Sequence, residues 1–407
     1  MSTTRATRGF RLHVGLVGRR NVGKSSLINA LMRQEVAIVS PTPGTTTDPV
    51  SRPMELQPIG PVLLIDTAGV DDSGELGALR VERTHAQLDR CDVVLLVAST
   101  GIWGRVEEDL LADLRRRDLP VIVAFNQGDR GEPEHWLVQA LRAHGAAVVV
   151  VSAVTGAGLD DLRAAIVAAA PVPVTRPAAL LADLVGPGGL ALLVVPIDKE
   201  APVGRLIMPQ VQAIRDLLDG DAHCLVVKED GLAAALARLR TPPDLVVTDS
   251  QAFAQVAAIV PAEVPLTGFS VLMSRQRGDL ALQAAGAAAL DRLRPGDRVL
   301  IAEACSHHPV EDDIGRVKLP RWLDELAGGP LAFETVQGHD FPSDLTPYAV
   351  VVHCGACTLN RREMTARLQQ CRRAGVPVTN YGLAIARRFG VLERALAPFS
   401  LPVGGES

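Results

Sequence analysis

The sequence predicts an α/β protein of three domains, in which an N-terminal P-loop domain precedes two smaller domains built on parallel sheets. Three observations lead to this fold class. An apolar strand near the N-terminus runs into a glycine-rich loop of the phosphate-binding type. Further along, short apolar runs alternate with longer stretches of helical pattern, which is typical of a parallel sheet. Two of the last strands end in cysteine and histidine.

The predicted domain boundaries follow changes in this pattern. At 407 residues the chain exceeds the ~250–300 residues at which a single core stops growing. The nucleotide-type motifs stop at an Ala- and Pro-rich stretch, so the domains are placed at residues 1–171, 178–269 and 270–407, with a linker at 172–177. The middle domain shows no catalytic constellation. Its Asp198, Lys199 and Asp249 are interpreted as residues that cap or line strand ends, and the domain as an interaction surface or spacer.

Composition limits the partners and the compartment. The net charge of -5 argues against a broad electrostatic grip on nucleic acid. No stretch has the ~20 consecutive apolar residues of a spanning helix, and residues 1–11 have no apolar signal-peptide core. We therefore expect a cytoplasmic protein with neither membrane nor nucleic acid as a partner. Cys91, Cys224 and Cys371 are interpreted as small buried apolar side chains.

The first motif follows the apolar strand at residues 12–17. Residues 18–26 match the pattern G-x-x-x-x-G-K-[ST], in which backbone N–H groups wrap the phosphates of a nucleotide. Lys24 is expected to reach the β and γ phosphates, and Ser25 to offer its hydroxyl to Mg²⁺. The candidate nucleotide contacts in this loop are Gly18, Asn21, Val22, Gly23, Lys24, Ser25 and Ser26.

The second motif, Asp66-Thr67-Ala68-Gly69, follows another apolar strand. Asp66 is predicted to complete the Mg²⁺ shell, and the Gly69 N–H to sense the γ-phosphate. The hydroxyl-rich loop at residues 43–48 is similar to the switch loop of the Era/MnmE-like branch of translation-factor-type GTPases. That resemblance implies that Thr46 joins the metal when GTP is bound. Lys24, Thr46, Asp66 and Gly69 form the predicted catalytic set.

The third motif predicts the base. Residues 126–129, Asn-Gln-Gly-Asp, resemble the Asn-Lys-x-Asp signature in which the aspartate pairs with guanine. Asn126 and Asp129 are therefore candidate guanine residues, and Ser152 and Ala153 resemble the last guanine-contacting loop. Gln127 replaces the lysine whose stem covers the base. Order and spacing favour GTP and GDP over ATP.

Two residues bear on the rate of hydrolysis. Val70 stands where Ras-type enzymes have a water-orienting glutamine, and no arginine finger is assigned, so intrinsic hydrolysis is expected on the order of 10⁻⁴ to 10⁻² s⁻¹. Asn21 matches the residue that holds K⁺ in potassium-activated relatives. We hypothesise that K⁺ supplies the missing positive charge; the alternative is an asparagine that only stabilises the loop.

A metal or cluster is predicted in the last domain. The apolar run at residues 350–352 ends in His353-Cys354-Gly355-Ala356-Cys357, and the strand at residues 298–302 precedes Cys305, His307 and His308. Carboxyl ends of parallel strands meet at one sheet edge, so these side chains are expected to converge. Gly355 is expected to give the backbone the freedom to bring both thiols of its motif onto one ion. An iron-sulfur cluster and a Cys₃His zinc site both remain open.

Together these features resemble HydF, the family of FeFe-hydrogenase maturation GTPases. The resemblance rests on Cys-x-His followed at a distance by His-Cys-x-x-Cys, on residues 196–210 and on residues 74–77. It implies a 4Fe-4S cluster on Cys305, Cys354 and Cys357, with the fourth iron left to an exchangeable ligand such as His353 or His307. The alternative for His353 is a hydrogen bond beside the cysteine, and His308 is interpreted as a bystander.

The family further implies a scaffold that holds the diiron precursor of the H-cluster and delivers it to apo FeFe-hydrogenase. The implied partners are radical-SAM maturases, the apo-hydrogenase and a second copy of the chain, bound through the middle domain. Whether the assembly is a dimer or a tetramer stays open. The alternative from another class is a ribosome- or RNA-linked GTPase with a zinc-stabilised C-terminal domain.

Overall fold

The N-terminal strand, β1 (Leu12–Val17), is apolar on both faces and lies at the centre of a sheet. The structure is a computed structural model that describes residues 11–33, 51–67, 87–171, 178–197, 206–304, 314–356 and 358–400. Its chain divides into two units, Met1–Pro177 and Ala178–Ser407, and each is described by itself.

The first unit is a six-stranded sheet in the order β2-β3-β1-β4-β5-β6, with helices on both faces. All neighbouring strands are parallel except β2 and β3, which form an antiparallel hairpin at the edge. The elements after β1 are α1 (Lys24–Arg33), β2 (Ser51–Leu56), β3 (Gly60–Asp66), β4 (Val93–Ser99), α2 (Arg105–Arg116), β5 (Val121–Asn126), α3 (His135–Ala143), β6 (Ala147–Val150) and α4 (Leu159–Ala169).

Burial explains this order. Strands β1, β4 and β5 lie inside the sheet, and their near-continuous apolar residues are buried because helices cover both faces. Helix α2 contributes one apolar stripe, Leu110, Leu111 and Leu114. The carboxyl ends of β1, β3 and β5 therefore reach one edge of the sheet, where the three nucleotide motifs follow them.

The second unit contains two four-stranded parallel sheets, in the orders β10-β9-β7-β8 and β12-β11-β13-β14. The strands of the first sheet and the helices between and around them are, in chain order, α5 (Ala182–Val185), β7 (Leu190–Val194), α6 (Met208–Asp219), β8 (His223–Val227), α7 (Leu232–Leu236), β9 (Leu245–Thr248), α8 (Phe253–Ile259), β10 (Leu266–Gly268) and α9 (Phe269–Arg277). Those of the second sheet are α10 (Leu280–Ala289), β11 (Arg298–Glu303), α11 (Leu319–Ala327), β12 (Ala332–Gln337), β13 (Val350–His353), α12 (Arg361–Ala374), β14 (Val378–Asn380), α13 (Tyr381–Arg388) and α14 (Leu392–Leu396).

The last helix, α14, returns to the first of these two sheets. The buried Thr267 hydroxyl, in β10, donates a hydrogen bond to the Ala395 carbonyl oxygen at 2.8 Å. Arg394 donates to the carbonyl oxygens of Ala257 and Val260 at 2.9 and 2.8 Å. One apolar core runs from this sheet to residues of α13 and α14, so the two sheets share buried side chains.

The α/β class, the N-terminal P-loop domain and the further parallel sheets are confirmed. The predicted division at residues 269 and 270 stays a prediction; α9 begins at that point and joins the two sheets. Throughout the described part of the chain, every helix is too short or too polar to reach across a lipid bilayer.

A test of the shared core is Thr267→Val. Valine keeps the volume but leaves the Ala395 carbonyl without its donor, at a cost of about 1 kcal/mol. We expect amide hydrogen exchange in α14 to become about fivefold faster. Thr241→Val, at an exposed position, is the control and should leave the exchange of α14 unchanged. Equal exchange in both variants would show that this contact does not hold α14.

Candidate functional site

The phosphate-binding loop depends on backbone that only glycine adopts easily. Gly18 and Gly23 have φ angles of 150° and 89°. A Cβ at Gly18 would lie 2.1 Å from the Val97 carbonyl oxygen, and one at Gly23 would lie 2.4 Å from Nδ2 of Asn126. The glycines therefore serve both the turn and the close approach of the loop to β4 and to the loop after β5.

Lys24 and Ser25 stand at the start of α1, and Asp66, the other predicted Mg²⁺ residue, ends β3. The buried Lys24 ammonium donates to the carbonyl oxygens of Gly18 and Arg19, at 2.9 and 2.8 Å. Ser25 Oγ donates to Asp66 Oδ2 at 2.5 Å. The hydroxyl and the carboxylate expected to bind Mg²⁺ are thus side by side.

Neighbouring hydrogen bonds hold the end of β3 against β1. The Thr67 hydroxyl donates to the Leu16 carbonyl oxygen at 2.6 Å. This contact fixes the position of Asp66 along β3, beside the phosphate-binding loop. Ser26 is exposed on the first turn of α1. Thr46 and Gly69 of the predicted catalytic set, and Val70, lie outside the described residues.

Asn126 ties the loops together. Its Nδ2 donates to the Val22 carbonyl oxygen at 2.9 Å, and its Oδ1 accepts from the Ala153 N–H at 3.1 Å. Only 2% of the surface of Asn126 is exposed, so the side chain makes both contacts in the interior. Val22, Asn126 and Ala153, three predicted nucleotide residues, therefore form one bonded set that holds the phosphate and base loops in place.

The Asp129 carboxylate is oriented and kept ionised by a neighbouring hydroxyl, so that it can accept hydrogen bonds from a ligand. Ser152 Oγ donates to Asp129 Oδ1 at 2.6 Å, and this hydrogen bond lowers the pKa of Asp129 below its usual value. A carboxylate that is ionised at neutral pH can accept two N–H groups, as pairing with the N1 and N2 edge of guanine requires. The placement of Ser152 thus agrees with the sequence interpretation.

Gln127 does more than replace a lysine. It has a left-handed backbone, with φ of 64°, and its Oε1 accepts from Ser99 Oγ at 3.0 Å. Its Nε2 donates to the Asn21 carbonyl oxygen at 3.4 Å. The side chain therefore bridges the base loop and the phosphate loop, a role that the sequence pattern did not indicate.

An ion pair that the sequence pattern did not indicate holds the phosphate loop against α2. Arg19 makes a two-pronged ion pair with Glu107, with Nε–Oε1 and Nη2–Oε2 distances of 2.6 and 2.9 Å. Glu107 is buried, and its Oε2 also accepts from the Gly104 N–H at 3.0 Å. This fork geometry fixes the loop to the first turn of α2.

The second site lies where β11 and β13 end. The two strands are parallel, and Ala302 stands opposite His353 in their register. Cys354 continues this pairing, because its N–H donates to the Ala302 carbonyl oxygen at 2.9 Å. The segment that leads to Cys305 and the segment that begins at Cys354 therefore leave the sheet side by side.

Backbone groups surround the Cys354 sulfur. Its Sγ accepts from the N–H groups of Ala304 and Ala356, at 3.0 and 3.4 Å. The Thr358 hydroxyl donates to the Ala304 carbonyl oxygen at 2.8 Å. Two N–H donors aimed at one sulfur favour its thiolate form and are the kind of contact that tunes iron-sulfur sites.

Cys305, His307, His308 and Cys357 lie outside the described residues. The residues next to two of them, Ala304 before Cys305 and Ala356 and Thr358 around Cys357, are bonded to one another or to Cys354. This donor arrangement fits a thiolate-bound cluster. Among the residues that the structure describes, no three His, Cys, Asp or Glu side chains group as metal ligands, since only Cys354 of the three predicted thiols is included.

His353 is buried, with 1% of its surface exposed, and both ring nitrogens have partners. Arg367 Nη1 lies 3.0 Å from Nε2, and the Cys354 carbonyl oxygen lies 3.1 Å from Nδ1. Burial first, and the Arg367 charge second, lower the pKa of His353 to about 3, so the imidazole is neutral. This placement supports the alternative that the histidine hydrogen bonds beside the cysteine; its role as an iron ligand stays a prediction.

Arg367, on α12, is itself held from several sides. Its Nη2 donates to the Gly338 carbonyl oxygen at 2.8 Å and to Glu363 Oε1 at 3.1 Å, and its guanidinium lies 5.0 Å from the centre of the Phe341 ring. His339 Nδ1 lies 2.9 Å from the same Glu363 oxygen. A buried polar network thus stands behind Cys354, and no motif in the sequence marked it.

The loop after Cys354 corrects one expectation. The left-handed residue is Ala356, with φ of 51°, and not Gly355, whose φ is outside that region and whose Cβ would meet open space. The expectation that Gly355 supplies the freedom of this loop is therefore wrong. The Ala356 conformation turns its N–H toward Cys354 Sγ, and Arg277 holds it by donating to the Ala356 and Leu359 carbonyl oxygens, each at 3.0 Å.

Other residues near this site were not marked by the sequence. Glu303, buried at the end of β11, accepts from Gln337 Nε2 at 3.0 Å. A small cleft reaches Cys354. Met273, Arg277, Gln283 and Met364 are among the residues that line it. The cysteines assigned to the interior are placed as expected in two cases, since Cys91 and Cys371 are fully buried, whereas Cys224 is half-buried.

The sheet order and the three loops at its edge define the first unit as a P-loop domain of the GTPase class. A family model described as "50S ribosome-binding GTPase" matches residues 13–127. Two models described as the dimerization and tetramerization domains of hydrogen maturase F match residues 180–278 and 279–398. The chain therefore belongs to the hydrogen maturase F (HydF) family.

Curated relatives match part of the chain. The tRNA modification GTPase MnmE of Methylobacterium radiotolerans is 40% identical over 168 residues, which are 40% of this chain and 35% of that protein. GTPase Der of Solidesulfovibrio magneticus is 40% identical over 157 residues, 38% of this chain and 35% of that protein. The chain thus spans about a third of the length of the curated relatives it matches.

Solved structures also resemble part of the chain. The G domain of the T. maritima FeoB iron transporter is 28% identical and covers 39% of this chain and 98% of its own, with a TM-score of 0.31. A variant of Aquifex aeolicus Era is 22% identical and covers 53% of this chain and 92% of its own, with a TM-score of 0.34.

The bridge made by Gln127 is testable by Gln127→Lys. A lysine stem would lie over the base instead of joining the two loops, and the added apolar cover is worth about 1 kcal/mol. We expect the Kd for GDP, measured by calorimetry, to fall about fivefold. Gln139→Lys, which adds the same charge at an exposed position of α3, should leave the Kd unchanged. Weaker binding in Gln127→Lys would mean that the bridge matters more than cover of the base.

Proposed function

We propose that this chain is a GTP-hydrolysing scaffold that binds a 4Fe-4S cluster, holds the diiron precursor of the H-cluster and delivers it to apo FeFe-hydrogenase. One observation carries the cluster part of the proposal. The residues that flank Cys305 and Cys357 are hydrogen bonded around Cys354, at the aligned ends of β11 and β13. Membership of the hydrogen maturase F family supports the maturation part.

In the nucleotide site, the roles of the described residues follow from their placement. Lys24 would exchange its two carbonyl partners for phosphate oxygens, and Ser25 and Asp66 would hold Mg²⁺, which would supply positive charge beside the phosphates. Asp129, oriented by Ser152, selects guanine. On the sequence pattern, Thr46 and Gly69 would complete the site on the γ-phosphate side, and Asn21 would hold a K⁺ that supplies positive charge during slow hydrolysis.

In the cluster site, Cys305, Cys354 and Cys357 would hold three irons of a 4Fe-4S cluster. A cluster bound there supplies one further iron position for an exchangeable ligand, for which His307 and His353 are the sequence candidates. The N–H groups of Ala304 and Ala356 stabilise the Cys354 thiolate. Arg277 holds the turn between Cys354 and Cys357 through the Ala356 carbonyl oxygen.

GTP and the cluster belong to different units of the chain, so GTP is proposed to act on a partner and not on the chemistry at the cluster. GTP binding shifts an equilibrium only if it binds one conformation better than the other. The conformation that GTP favours would change how the second unit contacts radical-SAM maturases or the apo-hydrogenase. Homodimers would form through the middle domain, in keeping with the description of its family model.

A second candidate is a ribosome- or RNA-linked GTPase whose C-terminal cysteines bind zinc. Its support is that the matched family model is described as ribosome-binding and that curated relatives are tRNA modification GTPases. Cys₃His is also a zinc ligand set. The net charge of -5 argues against it, because RNA binding favours a basic surface.

Cys354→Ser tests the cluster. Protein purified without oxygen should be brown and contain about four irons per chain, and the variant should lose most of the colour and iron because serine is a poor ligand for this cluster. Cys224→Ser, a half-buried cysteine on β8, is the matched control and should keep both. Colourless wild-type protein with one zinc per chain would instead support the second candidate.

Lys24→Ala tests the nucleotide site. Removing the charge that meets the β and γ phosphates should lower kcat for GTP hydrolysis by about 10²–10³-fold. Iron content should not change, since Lys24 lies in the other unit. Lys228→Ala, an exposed lysine of the second unit, is the control and should keep both properties. If Lys24→Ala hydrolyses GTP normally, the assignment of the phosphate-binding loop is wrong. If Lys24→Ala loses hydrolysis but still matures hydrogenase normally, GTP has no role in delivery.

A further inference from the structure

We propose that Arg367 is a positioning residue for the cluster site: through the His353 ring it fixes the Cys354 peptide, and it occupies the ring nitrogen that would otherwise bind iron. The inference deepens the proposed function and rests on it, because it assumes that Cys354 binds iron. It assigns a role to a side chain on α12, a helix that carries none of the predicted ligands.

The protonation states follow from the partners. A guanidinium is always protonated and has no acceptor, so Arg367 Nη1, at 3.0 Å, must donate to Nε2 of His353. Nδ1 then carries the imidazole proton and donates it to the Cys354 carbonyl oxygen at 3.1 Å. One nitrogen lone pair accepts a hydrogen bond and the other nitrogen is protonated, so neither is available to a metal.

Arg367 can impose this arrangement because it cannot easily move. It is 5% exposed, and its Nη2 is held by the Gly338 carbonyl oxygen and by Glu363. The Phe341 ring covers the guanidinium at 5.0 Å. Asn360, the N-cap of α12, accepts from the Glu363 N–H at 2.9 Å, so the network is also tied to the helix start that follows the cysteine loop.

The consequence for Cys354 is a fixed backbone on both sides. The Cys354 N–H is bound to Ala302 in the sheet, and its carbonyl oxygen is bound to the His353 ring. These two contacts hold the peptide planes before and after Cys354, and therefore the direction of its Cα–Cβ bond. Partners that orient a metal ligand commonly change metal affinity by about 10–100-fold when they are removed.

The first experiment asks whether His353 binds iron. Nitrogen hyperfine spectra are compared for the reduced cluster in wild-type protein and in His353→Gln, both prepared without oxygen. The expected result is the same nitrogen coupling in both, because no imidazole nitrogen of His353 is bound. A strong nitrogen coupling in wild type that disappears in His353→Gln would overturn the proposal.

The second experiment asks whether Arg367 acts through His353. The rate of iron removal by a chelator is measured for wild type, Arg367→Met, Arg367→Lys, His353→Gln and the double variant. Arg367→Met is expected to lose iron at least tenfold faster, with partial recovery in Arg367→Lys, which keeps one donor. The double variant should match His353→Gln alone, since Arg367 then has no ring to position.

Arg394→Met is the matched control, because Arg394 also donates to several backbone carbonyl oxygens of the second unit but does so at α14. It should destabilise the fold without changing iron release. Equal release from wild type and Arg367→Met, or equally fast release from Arg394→Met, would overturn the inference while leaving the cluster in place. Wild-type protein without iron would overturn the proposed function as well, so the two failures are distinguishable.

Discussion

The proposed cluster site depends on one register of two neighbouring strands. Strands β11 and β13 are parallel neighbours with Ala302 opposite His353, so two distant segments leave the sheet together. A slip of one residue would turn alternate side chains to the other face and separate the Cys354 sulfur from the Ala304 N–H. Because both strands are buried on both faces, that slip would also move their apolar side chains from one packed core to the other. The packing of ordinary Val, Leu and Ile side chains therefore sets the geometry of the sulfur.

The polar network behind the strands serves a different purpose. A buried ion pair such as Arg367–Glu363 loses hydration, and apolar replacements of such pairs are often neutral or stabilising by about 1–4 kcal/mol. Stability alone does not account for it. The network instead fixes the orientation of the groups in it. Each group between the Cys354 carbonyl oxygen and the Gly338 carbonyl oxygen has a hydrogen-bond partner that allows one orientation.

The sequence was informative where local pattern decides structure. The glycine spacing of the phosphate-binding loop and the strand that ends at His353 are both local signals, and the structure places them as expected. The edge strand β2 was not predicted, since Pro53 interrupts its pattern and only alternate residues, such as Met54, are buried. Contacts between distant segments were also beyond reach. No local pattern in the sequence indicates that Arg19 pairs with Glu107 or that Arg367 of α12 contacts His353.

The two sites share a design in which hydrogen bonds tie loops together before any ligand binds. Asn126 joins the phosphate and base loops, and the backbone N–H groups of Ala304 and Ala356 donate to one sulfur. The most direct measurement is an anomalous difference map at the iron absorption edge from crystals grown without oxygen. We expect an iron peak bonded to the sulfurs of Cys305, Cys354 and Cys357. A peak at that place only in a map collected at the zinc edge, or iron bonded to Cys354 with Cys305 turned away, would contradict this expectation.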